Sequence, residues 1–182
     1  MARDAALMGI KVHIGIILPV LWTTRDSMAT AADTVALVRL RTYAGLDTKD
    51  RPFGSYAPYS QKPLYVAFKG ARLKPKGGRK TKSGKSMFFQ GGYKEYKQKS
   101  RRRRTKGGAN QTAEIDLTLS GALMNNLVTT SATKTSFTIG LSGAVRSYGY
   151  HVNARRPFIG LSASDRVKVT NAVAARIRKK LS

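Results

Sequence analysis

Apolar residues recur at three- and four-residue spacings in two stretches of the chain. Between Asp26 and Tyr43, the residues Met28, Ala31, Ala32, Val35, Val38 and Leu40 mark one face of a helix, and Gly45 follows as a stop. Asp26 or Ser27 is a fair N-cap, since a short polar side chain there can accept from an unpaired backbone N–H of the first turn. From Ser162 onward, Val169, Val173 and Ile177 repeat every four residues with Leu181 beyond them. Ser162-Ala163-Ser164-Asp165 opens that stretch in the manner of a capping box. Arg176, Arg178, Lys179 and Lys180 crowd its last turns, where the helix dipole favours positive charge. At Ser136-Phe137-Thr138-Ile139-Gly140-Leu141 the period changes to two, which predicts a strand with one buried face in a β-hairpin or meander. Leu117 to Met124 predicts a short helical stretch, with Ser120 as its cap and Leu123 and Leu127 four apart.

The segments between these elements carry weaker signals. Asp47 to Ser60 is rich in turns and rings, with Pro52, Gly54 and Pro58 punctuating Phe53, Tyr56 and Tyr59, and reads as an ordered loop. Ile14 to Trp22 is apolar but is interrupted by Pro19 and is far short of the roughly 20 residues a helix needs to cross a bilayer. The first 30 residues can be set against a signal-peptide pattern, but Arg3 is offset by Asp4 and Pro19-Val20-Leu21-Trp22 is a poor cleavage context, so a buried strand or early core segment is preferred. No internal repeat is visible. The order of elements predicts an α+β fold: a small antiparallel sheet packed with a helix in the N-terminal half and a C-terminal helix, in one domain covering 1–182. At 182 residues the chain is long enough to bury a core.

Charge changes this picture in one region. The chain has 34 Lys and Arg against 9 Asp and Glu, a net charge of +25, and such a field attracts polyanions at low salt. Between Lys69 and Lys106 lie 16 of the basic residues, opposed by Glu95 alone; the remainder of the chain carries 18 basic and 8 acidic residues. The excess therefore belongs mainly to residues 69–108, which are also dense in glycine. A segment with that much like charge cannot bury enough apolar surface to fold compactly alone, which predicts an extended arm or long hairpin inserted in the domain. Met87-Phe88-Phe89 with Tyr93 and Tyr96 forms an aromatic patch in its middle, read as a docking point on a neighbour or as a strand of the hairpin.

The inventory excludes several chemistries. With no cysteine, disulfides, thiolate metal sites and cysteine nucleophiles are absent, and the composition suits a reducing compartment. His13 and His151 are the only histidines, too few for a histidine-based metal site. Glu114 and Asp116 alternate on one side of a strand-like stretch and could hold Mg²⁺, but no third acid is near in sequence, so partners for lysines are the better assignment. His151, in Tyr148-Gly149-Tyr150-His151, with Ser142 and Ser147 upstream, can be cast as a general base, although a lone histidine in an aromatic strand or loop is usually structural. Gly84-Lys85-Ser86 ends like a phosphate-binding loop but lacks its spacing and its leading strand. The expectation is a protein that is no enzyme and takes no cofactor. On composition alone the leading class is a nucleic-acid binder such as a ribosomal component, with lysines and arginines on phosphates and Phe88, Phe89, Tyr93 and Tyr96 stacking on bases.

Three passages, in order, resemble the phage virion-morphogenesis family of head-to-tail joining, neck and tail-completion proteins. Arg41-Thr42-Tyr43-Ala44-Gly45-Leu46-Asp47 leads through Pro52-Phe53-Gly54 to Tyr56-Ala57-Pro58-Tyr59-Ser60, similar to that family's helix end, glycine and proline-tyrosine-serine loop. Asp116-Leu117-Thr118-Leu119-Ser120-Gly121-Ala122-Leu123 is similar to its Leu-Thr-x-Ser-Gly-x-Leu step. Arg155-Arg156-Pro157-Phe158-Ile159-Gly160-Leu161-Ser162 is similar to its segment before a last helix. The resemblance spans roughly residues 26 to 180. It implies a structural subunit of the virion neck or tail, assembled in the host cytoplasm as a hexameric ring with other neck, connector and tail proteins, and with no membrane partner.

In that reading Tyr56, Pro58, Tyr59, Ser60, Leu117, Ser120, Gly121, Arg156, Pro157, Phe158 and Gly160 are structural motif residues. Arg156 and Phe158 anchor the loop entering the last helix, and Gly160 permits a close approach before Ser162. The arm, through Arg79, Lys80, Phe88, Phe89, Tyr93, Arg101, Arg102, Arg103 and Arg104, is expected to meet a neighbouring subunit or a polyanion, including DNA passing through a channel without sequence preference.

Overall fold

The computed structural model describes residues 9–13, 21–71, 74–100, 117 and 121–182. In chain order these form β1 (Gly9–His13), α1 (Thr24–Tyr43), β2 (Leu64–Ala67), β3 (Arg79–Lys80), β4 (Ser86–Phe89), α2 (Gly92–Ser100), α3 (Ala122–Asn125), β5 (Leu127–Ala132), β6 (Ser136–Leu141), α4 (Arg146–Arg155) and α5 (Ala163–Leu181). Short 3₁₀ turns lie at Phe53–Ser55 and Gly143–Val145. The strands make two antiparallel sheets, in the orders β1-β6-β5 and β2-β4-β3, so the fold is α+β. The apolar run from Ile14 lies outside the described residues except for Leu21 and Trp22; Trp22 is buried and donates its indole N–H to Ser27 Oγ at 2.8 Å.

The first sheet carries the main core. Phe137, Ile139 and Leu141 of β6 pack with Leu127 of β5, Ala31, Val35 and Val38 of α1, and Leu123 and Met124 of α3. The period-two pattern of β6 predicts one buried face, whereas the strand is buried along nearly its whole length, because β1 and β5 pair with it on both sides. The β5-β6 hairpin turns at Thr133, whose hydroxyl accepts the Ser136 N–H at 3.1 Å.

Helix α1 departs from its apolar pattern in an informative way. Its cap is Thr23, with Asp26 at the third helical position completing a capping box, rather than Asp26 or Ser27. Met28 and Leu40 are 56% and 63% exposed, and the buried stripe runs through Ser27, Thr30, Ala31, Thr34, Val35, Val38, Arg41 and Thr42. The threonines can be buried because each hydroxyl donates to the carbonyl four residues earlier: Thr30 to Asp26 at 2.9 Å, Thr34 to Thr30 at 2.8 Å and Thr42 to Val38 at 2.7 Å. A stripe of self-satisfied hydroxyls does not register as apolar in sequence.

Helix α5 begins with the expected box, in which the Ser162 hydroxyl accepts from the Asp165 N–H at 3.1 Å and the Asp165 carboxylate accepts from the Ser162 N–H at 3.3 Å. It packs along α1. Two of its basic residues bond to α1 as well as completing the dipole: Arg176 reaches Asp33 at 2.6 Å and Lys180 reaches Asp26.

Of the two forms expected for residues 69–108, an extended arm or a long hairpin, the described residues show a hairpin, with Met87, Phe88 and Phe89 in one of its strands, and it is folded against the neighbouring elements rather than extended. The β3-β4 hairpin joins β2, and α2 lies on one face of that sheet through a buried contact of Phe89 with Tyr96, ring centroids 5.2 Å apart. What allows compaction is that most of the charges are exposed while a small aromatic core forms beneath them, whereas Lys97 is buried and bonds to the Tyr59 hydroxyl. Two further corrections are local. Tyr148 to His151 sit on helix α4, not in a strand or loop, and the residue preceding α3 is Gly121, with φ of 80°, while Ser120 lies outside the described residues.

Candidate functional site

The first and third resemblance passages meet through a set of buried polar contacts. Arg41, in the last turn of α1, pairs with Asp165 in the first turn of α5. Its other guanidinium nitrogen donates to the carbonyls of Phe158 at 2.7 Å and Gly160 at 3.0 Å. Asn153 of α4 accepts the N–H groups of Phe158 and Ile159 at 2.9 and 2.8 Å. Phe158 itself is fully buried in the core, and a Cβ at Gly160 would lie 2.7 Å from Thr48 Cγ2, so the close approach of the 157–161 loop to the 45–50 turn favours glycine there. The Thr48 N–H donates to the Pro157 carbonyl at 3.1 Å.

Asp47 organises the turn that leads into the tyrosine loop. Its carboxylate accepts from the N–H groups of Lys49 and Arg51 at 2.7 and 2.8 Å, from Arg51 Nε at 3.0 Å and from the Tyr56 hydroxyl at 2.6 Å. Burial pushes this carboxyl up, but the Tyr56 hydroxyl, the two backbone donors and the Arg51 side chain outweigh it and bring it down to about 2. The same hydrogen bond raises the Tyr56 hydroxyl above its usual value, with burial adding to it.

Beyond Tyr56 the chain enters an open cleft of about 1030 Å³ to which all three resemblance passages contribute. Tyr56, Ala57, Pro58, Tyr59 and Ser60 form one wall, Leu117 and Gly121 to Leu123 another, and Arg155 and Arg156 with Tyr148, His151 and Val152 of α4 a third. Tyr93, Tyr96 and Lys97 of α2 complete it. Tyr59 stands at the centre. The Arg156 guanidinium lies 4.9 Å from its ring centroid and also donates to the Ala57 carbonyl, while Lys97 Nζ donates to the Tyr59 hydroxyl at 2.8 Å. From Tyr59 a chain of ring contacts runs through Tyr93 at 5.3 Å and Tyr96 at 6.1 Å to Phe89, tying the cleft to the second sheet. Burial, reinforced by Tyr148, Tyr59 and Tyr96 and opposed by Arg156, pushes the Tyr93 hydroxyl well above its usual value.

Gly92 sets how α2 meets the tyrosine loop. Its φ is 65°, and a Cβ there would lie 2.3 Å from the Lys62 carbonyl and 2.8 Å from that of Ser60. Two residues on, the Lys94 N–H donates to the Ser60 carbonyl at 3.1 Å.

The expected contact residues of the basic segment separate. Arg79 and Lys80 are exposed on β3, and Arg79 lies 5.2 Å from the ring centroid of Phe88, whose side chain points away from α2. Phe89, by contrast, is fully buried and is a core residue of the second sheet rather than a contact. Tyr93 belongs to the cleft. Arg101, Arg102, Arg103 and Arg104 lie outside the described residues, as do Glu114 and Asp116. His151 lines the cleft at 5.8 Å from Tyr150, and the Ser142 hydroxyl bonds instead to the Asn126 carbonyl at 3.4 Å.

Sequence reasoning overlooked Asp165 as the partner of Arg41, and Lys97 and Tyr148 as cleft residues; Asp165 was legible only as the third helical residue of the α5 capping box, and no spacing pattern marks Lys97 or Tyr148. Among the described residues, no group of three His, Asp or Glu side chains is placed to hold a metal ion, and no helix is long and apolar enough to cross a membrane. Comparison with protein-family models, with curated proteins and with solved structures finds no match to this chain.

Proposed function

We propose that the chain is a structural subunit of a tailed-phage particle, a head-to-tail joining or tail-completion protein that works as one copy in a hexameric ring and contacts other neck, connector and tail proteins. The observation that carries this reading is the convergence of described residues from three separate passages, near 41–60, at 117 and 121–123, and near 155–162, on one contiguous arrangement. Segments that resemble one family in order along the chain also support one another in space, through Arg41 on the Phe158 and Gly160 carbonyls and Arg156 on Tyr59. A ring subunit needs rigid, complementary surfaces, and the buried polar ties supply rigidity where loops rather than regular elements present the surface.

Cryo-electron microscopy of purified particles containing the chain tests the proposal. The expected result is a closed ring of this chain at the junction of capsid and tail, with the tyrosine cleft at or beside a subunit boundary. Its density in a ribosome, or its absence from every particle, returns the chain to the competing class, a basic nucleic-acid-binding protein.

A further inference from the structure

The sheet β2-β4-β3 has two unlike faces. Phe89 points toward α2 and is buried against Tyr96, and strand alternation sends its neighbour Phe88 to the other side. Cross-strand register places Tyr65 and Arg79 on either side of Phe88. Tyr65 is 65% exposed, its ring centroid is 4.8 Å from that of Phe88, and the Arg79 guanidinium lies over Phe88 on the opposite side. The adjoining pair on this face is Ala67 and Ser86, both small, so the rings stand above their surroundings.

Around this face the charge has one sign. Lys69, Lys82 and Lys85 are all exposed, and no acidic residue occurs between Asp50 and Glu95. Glu95 is itself engaged by Lys99 Nζ at 2.5 Å and by the Gly91 N–H at 2.7 Å. An exposed tyrosine ring packed on a half-buried phenylalanine, with a guanidinium beside them and lysines at the rim, has the chemistry of a base-stacking platform with phosphate contacts at its edges.

We propose that the open face of the β2-β4-β3 sheet binds single-stranded DNA, stacking bases on Tyr65 and Phe88 and holding the flanking phosphates with Arg79, Lys82 and Lys85. A duplex hides its base faces, so the rings select a single strand. The hydroxyls of the β3-β4 turn beside the platform are engaged: Thr81 Oγ1 donates to the Ser86 carbonyl at 3.0 Å and lies 3.1 and 3.2 Å from the hydroxyls of Ser86 and Ser83. With these hydroxyls engaged, ring stacking and positive charge carry the binding, and neither needs a ribose 2′-hydroxyl, so a DNA strand suffices. This inference does not rest on the ring assignment, and either can fail without the other.

The test is fluorescence anisotropy of the full chain with a labelled dT20 strand, together with photo-cross-linking of a 5-iododeoxyuridine strand and peptide mapping. Tyr65→Ala, at an exposed position with an unchanged fold by circular dichroism, is expected to weaken binding by roughly tenfold with the salt slope intact. The double variant Lys82→Gln and Lys85→Gln is expected to lower the slope by roughly 0.7 for each lysine. Cross-links at Tyr65 or Phe88 support the proposal. Unchanged affinity in Tyr65→Ala, cross-links confined elsewhere, equal competition by a 20-base-pair duplex, displacement by polyglutamate at equal charge, or tenfold tighter binding of rU20 would each overturn it.

Discussion

Arg41 and Asp165 form an ion pair whose side chains are only 4% and 3% exposed, joining the end of α1 to the start of α5 across 124 residues of sequence. Neither partner is replaceable alone. Arg41 also holds the Phe158 and Gly160 carbonyls, and Asp165 completes the α5 capping box, so the pair ties two helices and the intervening loop into one unit.

Removing one member strands the other as a buried charge. Arg41→Met and Asp165→Asn are each expected to cost about 3–5 kcal/mol in urea unfolding. The double variant Arg41→Met with Asp165→Asn is expected to lose less than the sum of the two single changes, because no uncompensated charge remains. Additive losses would show that the two residues act independently.

Asp47 makes stability depend on acid. Its pKa is about 2 in the folded chain against an ordinary 3.8. A depressed carboxylate contributes stability that is fully present above its unfolded pKa and is lost as pH falls through the folded value. That contribution is about 2 kcal/mol, present above about pH 5 and lost toward pH 2. Asp26, also lowered to about 2 against burial by its bonds to Lys180 and Thr23, adds a second contribution in the same window. Urea midpoints measured from pH 6 to pH 2 should therefore fall, and Asp47→Asn should be less stable at pH 6 yet show a shallower fall.

Gly92 is expected to be intolerant. Gly92→Ala places a methyl against the Lys62 carbonyl and forces a left-handed backbone that costs an L-residue about 1–2 kcal/mol before the clash is counted. The expected result is detachment of α2 from the tyrosine loop, read as loss of near-ultraviolet tyrosine dichroism and as new proteolytic cleavage between residues 62 and 100, with the helices α1 and α5 retained.

Arg156 is expected to distinguish charge from geometry. Arg156→Lys keeps the charge but gives up the planar contact with Tyr59 and the guanidinium bond to Ala57. The variant is expected to lose about 1–2 kcal/mol of stability and to impair particle assembly, whereas Arg155→Lys, whose side chain is exposed, is expected to behave as the native chain. Native behaviour of both variants would place the function in charge alone.

What was readable in the sequence was local. The Ser162 to Asp165 capping box, the four-residue repeat of α5, the span of α1 and the strand at Ser136–Leu141 all depend on residues within a turn or two of one another, so spacing and side-chain type suffice to predict them. The concentration of charge in residues 69–108 was equally plain. Tertiary structure decided everything that requires a partner distant in sequence. It buried Thr30 and Thr34 and exposed Met28 and Leu40, because packing against β5 and β6 selects the face of α1 and back-bonded hydroxyls remove the cost of burying threonine. It sent Phe89 inward and left Phe88 half-buried on the other face against the exposed Tyr65, a choice made by which side of the sheet α2 covers. And it brought Arg41 to Asp165 and Arg156 to Tyr59, contacts between residues about a hundred positions apart that local periodicity does not encode.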